Sequence, residues 1–172
     1  MNLLDYLPSV PDFPKPGIMF KDISPLLANQ SAFSYAVEKL HELSTHYDFD
    51  YVLGIESRGF IFATALAQAS KKGLVLARKP NKLPKKVFSE SYGLEYGNDS
   101  LELQQYILPK QSKVLLMDDV LATGGTLIAA ANLVKQSGAN VVGSLVLLEI
   151  FDLMGREKLK KENILSSSLI EI

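Results

Sequence analysis

The sequence predicts an α/β fold in which a mainly parallel β-sheet is flanked by helices. Two segments carry this prediction, because each consists of an apolar strand, a polar loop with glycine and a helix with regularly spaced apolar residues. The first covers residues 51–77 and the second covers residues 114–148. Strand–helix–strand units in succession favour parallel strands, whose binding loops meet at the carboxyl edge of the sheet.

The elements follow in order along the chain. Four prolines between Pro8 and Pro16 predict that the first twenty residues lack regular structure. An amphipathic helix is expected over residues 31–44. The predicted body then comprises strand 51–55, helix 60–70, strand 74–77, a strand from residue 114, helix 127–136 ending at Gly138, strand 141–148, helix 155–161 and strand 168–172.

Residues 80–105 interrupt this pattern as an irregular insertion. Alternating segments with several glycines and serines predict a hairpin arm that turns at Asn98-Asp99. Long arms beside a binding edge are often lids, and this one offers little apolar surface to fix its position. We therefore expect a mobile hairpin lid.

Composition limits the functional classes. With 172 residues, of which 47% are hydrophobic, the chain is expected to form one domain over residues 1–172. The net charge of −1 argues against a nucleic-acid partner. Residues 1–10 do not resemble a signal peptide, no apolar run has the length of a membrane span, and there is no cysteine. A cytoplasmic location, with no membrane partner, is expected.

The loop after the strand from residue 114 has the most informative chemistry. It reads Met117-Asp118-Asp119-Val120-Leu121-Ala122-Thr123-Gly124-Gly125-Thr126 and leads into a helix. Free N–H groups at a helix start suit a phosphate, and glycines allow its close approach. Two carboxylates beside it suit sugar hydroxyls. The alternatives are a plain strand end, or a Walker A loop, which the missing lysine excludes.

A second anion site is predicted at the same edge. Glu56-Ser57-Arg58-Gly59 also joins a strand to a helix, and Arg58 adds a cation. Arg78, Lys79 and Lys82 follow the next strand. The alternative for these cations is a solvated charged face, which is also the simpler interpretation of Lys85 and Lys86.

The loop over residues 117–126 resembles the phosphoribosyl-pyrophosphate (PRPP) motif of type I phosphoribosyltransferases. Glu-Ser-Arg-Gly-Phe, Arg-Lys-x-x-Lys-Leu-Pro, Leu-Glu-Tyr-Gly and Phe-Pro-x-Pro-Gly-Ile-x-Phe-Lys-Asp-Ile occur in the family's order. Together they are similar to adenine phosphoribosyltransferases over nearly the whole chain. The resemblance implies the type I phosphoribosyltransferase fold, with a base-binding hood over residues 1–30 and a flexible lid over residues 80–105.

The resemblance also implies a role for each matched residue. The 5′-phosphate is assigned to Ala122, Thr123, Gly124, Gly125 and Thr126, and the ribose hydroxyls to Asp118 and Asp119. The pyrophosphate is assigned to Ser57, Arg58, Arg78, Lys79 and Lys82. Adenine is assigned to Met19, Phe20 and Lys21, with Phe20 stacking on the ring. Glu95 and Tyr96 match the lid, and the implied catalytic residues are Glu95, Asp118, Asp119 and Arg58.

The implied reaction converts adenine and PRPP into AMP and diphosphate, a purine salvage step. Mg²⁺ is expected as cofactor, bound mainly through PRPP and diphosphate without dedicated protein ligands, and a homodimer is expected. A PRPP-binding regulatory protein and a xanthine or hypoxanthine phosphoribosyltransferase are the alternatives. Lys21, Ala63 and Asn81 depart from the family's usual residues, whereas His41 and His46 match nothing and are predicted to lie on the surface.

Overall fold

The computed structural model describes residues 1–94 and 97–172. The chain divides into two compact units, residues 1–39 and residues 40–172. The second unit contains the parallel sheet and both predicted anion-binding loops.

The first unit contains more regular structure than its prolines predict. A 3₁₀ helix covers Leu3–Tyr6, and strand β1 (Ser9–Val10) pairs antiparallel with β2 (Phe20–Lys21). Helix α1 (Ser24–Ala28) follows, and then α2 (Gln30–Ser44) begins. The expectation of an irregular front is therefore wrong. Three prolines lie in the connection between the two strands, where a missing backbone N–H does not interrupt the pairing.

The second unit confirms the predicted α/β architecture. Its strands are β3 (Tyr51–Ile55), β4 (Gly73–Ala77), β5 (Val87–Leu94), β6 (Gly97–Gln104), β7 (Lys113–Leu121), β8 (Asn140–Glu149) and β9 (Ser166–Glu171). Its helices are α3 (Gly59–Ser70), α4 (Gly125–Gln136) and α5 (Gly155–Lys161), with a 3₁₀ turn at Phe151–Leu153. Five strands form a parallel sheet in the order β4-β3-β7-β8-β9.

Burial along the central strands explains why this sheet is parallel and covered. Four successive residues of β7, Val114 to Met117, are fully buried, so both faces of the strand are packed. Helix α4 supplies buried leucines and alanines to the same core. An uninterrupted apolar run, rather than an alternating one, is the signature of such a strand.

Strands β5 and β6 form the predicted hairpin arm, but its turn lies elsewhere. Leu94 pairs with Gly97, while Asn98 and Asp99 pair with residues of β5. The predicted turn at Asn98-Asp99 is therefore wrong, and the connection falls at residues 95 and 96, outside the described residues. Leu101 and Leu103 are fully buried, and burial of this alternate pair fixes which face of β6 points inward.

Two smaller expectations have different outcomes. His46 is exposed as predicted, but His41 is half-buried, with Nδ1 3.1 Å from the hydroxyl of Ser70 on α3. The surface prediction for His41 is therefore wrong, because its imidazole lies against Ser70 of α3. Within residues 1–94 and 97–172, no helix is long and apolar enough to cross a lipid bilayer.

Candidate active site

The acidic pair lies inside strand β7 and not in the loop after it. Asp118 and Asp119 are 8% and 6% exposed, and the backbone N–H of Asp119 donates to Oδ1 of Asp118 over 2.9 Å. Burial, reinforced by the neighbouring charge of Asp119, raises the pKa of Asp118 well above its ordinary value. Burial also raises the pKa of Asp119, although Arg58 opposes the shift. The two carboxyls therefore titrate as a coupled pair.

The glycine loop that follows leads directly into helix α4. Gly124 has φ of +81°, a left-handed conformation that favours glycine, and it forms the N-cap without a side-chain capping bond. The helix starts at Gly125, two residues before the predicted start. The first N–H groups of a helix lack partners within it, so they are available to an anion at residues 122–126. Gly138 ends the helix with φ of +82°, as predicted.

The loop between β3 and α3 meets the acidic pair. Nε of Arg58 lies 2.7 Å from Oδ2 of Asp119 in an ion pair, although that oxygen accepts no aligned hydrogen bond within the described residues. A Cβ at Gly59 would lie 2.8 Å from Oδ1 of Asp118. Only glycine allows this approach, so the predicted anion loop and the acids are packed together. The Glu56–Ser57 peptide bond of this loop is cis.

A residue that the sequence interpretation missed organises the predicted cations. Oε2 of Glu56 accepts hydrogen bonds from the backbone N–H of Lys79 over 2.7 Å and from Nε of Arg78 over 3.3 Å. Nη1 of Arg78 donates to the carbonyl of Lys82 over 3.1 Å. The sequence does contain a signal for this role. Glu56 directly follows β3, and the three cations follow β4, which pairs with β3.

The arm holds one of these cations. Nζ of Lys79 donates to the hydroxyl of Tyr92 over 2.8 Å and pairs with the carboxylate of Asp99. Burial opposes the charge of Lys79, but the contacts with Asp99 and Tyr92 outweigh burial and raise its pKa. A residue assigned to pyrophosphate thus contacts both strands of the arm.

The arm is docked on α4 at several points. Oε1 and Oε2 of Glu90 accept hydrogen bonds of 2.8 Å from the side-chain amides of Asn132 and Gln136. Phe88 and Tyr92 pack against the core that contains Leu101 and Leu103. The expectation that the arm offers little apolar surface is therefore wrong at its base.

The arm also borders the glycine loop. A Cβ at Gly125 would lie 3.7 Å from the carbonyl of Gly93 and from the ring of Tyr92. A cleft of about 230 Å³ lies between the arm, α4 and α5. The cleft reaches the loop only at Gly125 and contains neither aspartate, so it is not the site that the acidic pair predicts.

The residues assigned to the base lie in the first unit. Phe20 is half-buried in β2, next to Met19, which is exposed, and Lys21. The rings of Phe20 and Phe13 meet edge to face with centroids 4.9 Å apart. Glu95 and Tyr96, assigned to the lid, lie outside the described residues.

The groups around the acidic pair determine which ligands suit it. Oδ2 of Asp119 is buried and ionisable, and its contact with Nε of Arg58 is an ion pair without an aligned hydrogen bond, so it can accept a bond from a hydroxyl or from metal-bound water. No cluster of three or more His, Cys, Asp and Glu side chains suited to a metal ion occurs in the described part of the chain. Acceptor oxygens of this kind suit a magnesium ion held mainly by a bound ligand, with the carboxylates reaching it through water or hydroxyl groups.

Comparisons with known proteins identify the family that the chain resembles. The model of the phosphoribosyl transferase domain matches residues 25–171. An adenine phosphoribosyltransferase of Polynucleobacter necessarius is 58% identical over 171 residues, 99% of both chains. The crystal structure of an adenine phosphoribosyltransferase from Thermoanaerobacter pseudethanolicus is 41% identical with a TM-score of 0.95, covering 99% of this chain and 100% of that one.

A further solved structure has relevant ligands. Adenine phosphoribosyltransferase from Saccharomyces cerevisiae, complexed with adenine and an imino-altritol bisphosphate, is 38% identical with a TM-score of 0.89. The alignment covers 97% of this chain and 96% of the yeast chain.

Proposed function

This chain belongs to the adenine phosphoribosyltransferase family, and from that premise we propose that it converts adenine and PRPP into AMP and diphosphate. The activity is that of a pentosyltransferase, EC 2.4.2.7, in purine salvage. The observation that carries the proposal is the junction of two loops at one edge of the sheet. There the buried acids of β7 contact Arg58 and Gly59 of the neighbouring strand–helix connection.

We propose that this junction binds the two ends of PRPP. The start of α4 receives the 5′-phosphate on backbone N–H groups, and Thr123 and Thr126 add hydroxyls. Asp118 and Asp119 accept hydrogen bonds from the ribose. Arg58, beside Asp119, is the nearest cation to the sugar, so it is suited to the oxygens that leave with pyrophosphate.

Catalysis on this proposal is mainly electrostatic. The sugar carbon gains positive charge as pyrophosphate departs, and the ionised aspartates stabilise that charge at short range. Ser57 and the cations Arg78, Lys79 and Lys82 stabilise the negative charge on the departing group. Glu56 holds the guanidinium of Arg78 and the backbone N–H of Lys79. Positioning of both substrates supplies the remaining acceleration. Glu95 is assigned to proton handling on the purine.

Magnesium completes this proposal. Family members use PRPP with Mg²⁺ in general, and the buried carboxylates of Asp118 and Asp119 would contact the ion through water or the ribose hydroxyls. When bound, Mg²⁺ neutralises charge on the pyrophosphate. The protein contributes the acidic side of this arrangement and the cations of the pyrophosphate side.

We propose adenine as the base because Phe20 and its neighbours match the family's base-binding segment. Adenine presents a 6-amino donor beside an N1 acceptor, and hypoxanthine presents the opposite pattern. Backbone groups near Met19 and Lys21 that pair with adenine would leave a donor or acceptor unpaired with a 6-oxopurine. Each mismatch costs about 1–3 kcal/mol, and such sites discriminate by about 10⁴ or more.

The test is to measure kcat/KM for adenine, hypoxanthine, guanine and xanthine at saturating Mg-PRPP. Adenine should exceed every other base by about 30-fold or more, since two mismatches of about 1–3 kcal/mol each add to about 2–6 kcal/mol. Phe20→Leu should raise KM for adenine more than KM for PRPP. Preference for a 6-oxopurine would overturn the base assignment. PRPP binding without turnover of any base would instead favour a regulatory protein.

The homodimer and the cytoplasmic location belong to the same proposal. The homodimer is an expectation from the family resemblance, and the absence of cysteine suits a reducing compartment. Sedimentation equilibrium tests the first, and a single-chain mass over the working concentration range would contradict it. Fractionation of cells tests the second, and recovery outside the cytoplasmic fraction would contradict it.

A further inference from the structure

An ion-pair cluster around one buried carboxylate lies next to the glycine loop, on strands that contribute nothing to the proposed site. Glu149, the last residue of β8, is 2% exposed and stands level with Leu121 of β7. Nε of Arg156 donates to Oε1 and Oε2 of Glu149 over 3.0 and 2.9 Å. Nη2 of Arg156 donates to Ser168 and Glu171 of β9 over 2.6 Å each. Arg156 therefore ties α5 to the ends of two strands.

The residue before Arg156 lies against the glycine loop. A Cβ at Gly155 would lie 2.2 Å from the carbonyl oxygen of Ala122 and 2.7 Å from Cδ1 of Leu121. The carbonyl of Gly155 lies 3.0 Å from the corresponding Cβ position at Gly124. Since both glycines are buried, the two backbones touch with no side chain between them. The position of Gly155 thus limits where residues 122–124 can lie.

These contacts connect the ion-pair cluster to the backbone of the glycine loop. Arg156 and Gly155 are adjacent in the chain, so fixing the guanidinium on Glu149 also fixes the backbone that supports the loop. The guanidinium makes bonds to two carboxylates and a hydroxyl, a planar arrangement that a lysine ammonium cannot reproduce. Burial of Glu149 makes the pairing obligatory, because an unpaired buried carboxylate is strongly unfavourable.

We propose that Glu149, Arg156 and Gly155 are positioning residues for the 5′-phosphate of PRPP, acting through the backbone of residues 122–124. None of the three needs to touch the substrate. This inference rests on the proposed function only in the identity of the ligand, because the phosphate end of a pentose phosphate is what the loop would bind. It predicts that the two ends of PRPP respond differently to loss of the cluster.

The experiment measures binding of ribose 5-phosphate and of Mg-pyrophosphate separately, by calorimetry on the full chain. Arg156→Gln removes the ion pair, and Lys160→Gln removes one positive charge from an exposed position of the same helix. Arg156→Gln should weaken the binding of ribose 5-phosphate at least about tenfold and leave the affinity for Mg-pyrophosphate within about twofold. It should also raise KM for PRPP more than it lowers kcat. Lys160→Gln should leave all four quantities within about twofold.

A second variant tests the contact itself. Gly155→Ala needs no unusual φ but inserts a methyl group 2.2 Å from the carbonyl of Ala122. Gly155→Ala should weaken the binding of ribose 5-phosphate selectively. It therefore provides a test that does not depend on the folding of Arg156→Gln. Arg156→Lys should restore less than half of the lost free energy, because it keeps the charge without the planar geometry.

Two results would overturn the inference. One is unchanged ribose 5-phosphate affinity in folded Gly155→Ala, and the other is equal weakening of both ligands in Arg156→Gln. Failure of the proposed function has a different signature. The wild-type protein would then bind ribose 5-phosphate but form no AMP from adenine and PRPP.

Discussion

Replacing Asp119 by asparagine should lower the activity of the enzyme without lowering its thermal stability. Oδ2 of Asp119 is buried and accepts no aligned hydrogen bond from the described residues, so a ribose hydroxyl that donates to it gains a charge-assisted bond. Such a bond is worth about 1.5–3 kcal/mol. At about 1.4 kcal/mol per factor of ten, Asp119→Asn should lower kcat/KM for PRPP by roughly tenfold to a hundredfold.

The same substitution should not destabilise the fold. Burial raises the pKa of Asp119, which means that its charge opposes folding at neutral pH. Arg58 retains hydration after the substitution, because its side chain is 32% exposed. Relief of a buried charge of this kind gives about 0.5–2 kcal/mol. For a chain of this length the Tm should rise by about 1–8 °C at pH 7.

The pH dependence provides an internal check. A carboxyl with a raised folded-state pKa stabilises the protein below that pKa and loses this contribution as pH rises through it. Lowering the pH from neutral towards the raised pKa of the pair should therefore narrow the Tm difference between wild type and Asp119→Asn. Wild-type kcat/KM should fall towards that of the variant over the same interval. Asp118 titrates with its neighbour, so the midpoint belongs to the pair.

The matched control is Asp48→Asn. Asp48 also pairs with a cation, Lys113, but its side chain is 83% exposed and lies near the start of β7, far along the strand from the site. Steady-state kinetics and thermal unfolding should barely change in this variant. Near-normal kcat/KM in folded Asp119→Asn, or a Tm below that of the control at pH 7, would refute the reasoning.

Three further outcomes are expected. Gly125→Ala and Gly125→Val should weaken Mg-PRPP binding progressively. The nearest protein atoms lie 3.7 Å from the new Cβ, so the added methyl groups meet the ligand and not the protein. Unchanged affinity by calorimetry would show that this loop does not bind the phosphate. Mg-PRPP with adenine should slow hydrogen exchange over residues 91–94 of the arm, whereas Leu101 and Leu103 should already be protected; identical exchange over residues 91–94 would contradict a moving lid. Glu90→Gln should speed exchange of β5 without ligand, because Asn132 and Gln136 lose a charged acceptor, and an unchanged rate would show that apolar packing alone docks the arm.

The family assignment and the α/β architecture from the sequence are confirmed. Strong local signals explain this success. The bounds of α5 and β3 were predicted to the residue, because α5 starts at a glycine and consists mostly of charged residues, and β3 is a short apolar run. The helix at the glycine loop was also predicted, although its first turn includes Gly125, which helix propensity disfavours. Here the position of the strand before it determines where the helix starts.

The errors arose where distant contacts decide. Nothing local shows that Leu101 and Leu103 are buried, so the arm was assigned a turn at its best turn-forming pair, Asn98-Asp99. Glu56 was passed over because its partners, Arg78 and Lys79, lie more than twenty residues away. The position of Asp118 and Asp119 near the carboxyl end of β7 was predictable, although the strand continues past them to Leu121. The roles assigned to individual site residues remain predictions.

The contact between Lys79 and the arm makes one ammonium serve two partners. Asp99 is tethered to the same chain, so its local concentration around Lys79 is on the order of millimolar or higher. On the proposed role of Lys79, pyrophosphate must take the ammonium from this tethered carboxylate, and its apparent affinity is lowered by the fraction of molecules in which Lys79 is engaged. On this proposal, Asp99 of the arm competes with pyrophosphate for Lys79. This competition weakens the binding of pyrophosphate and thereby favours its release after each turnover.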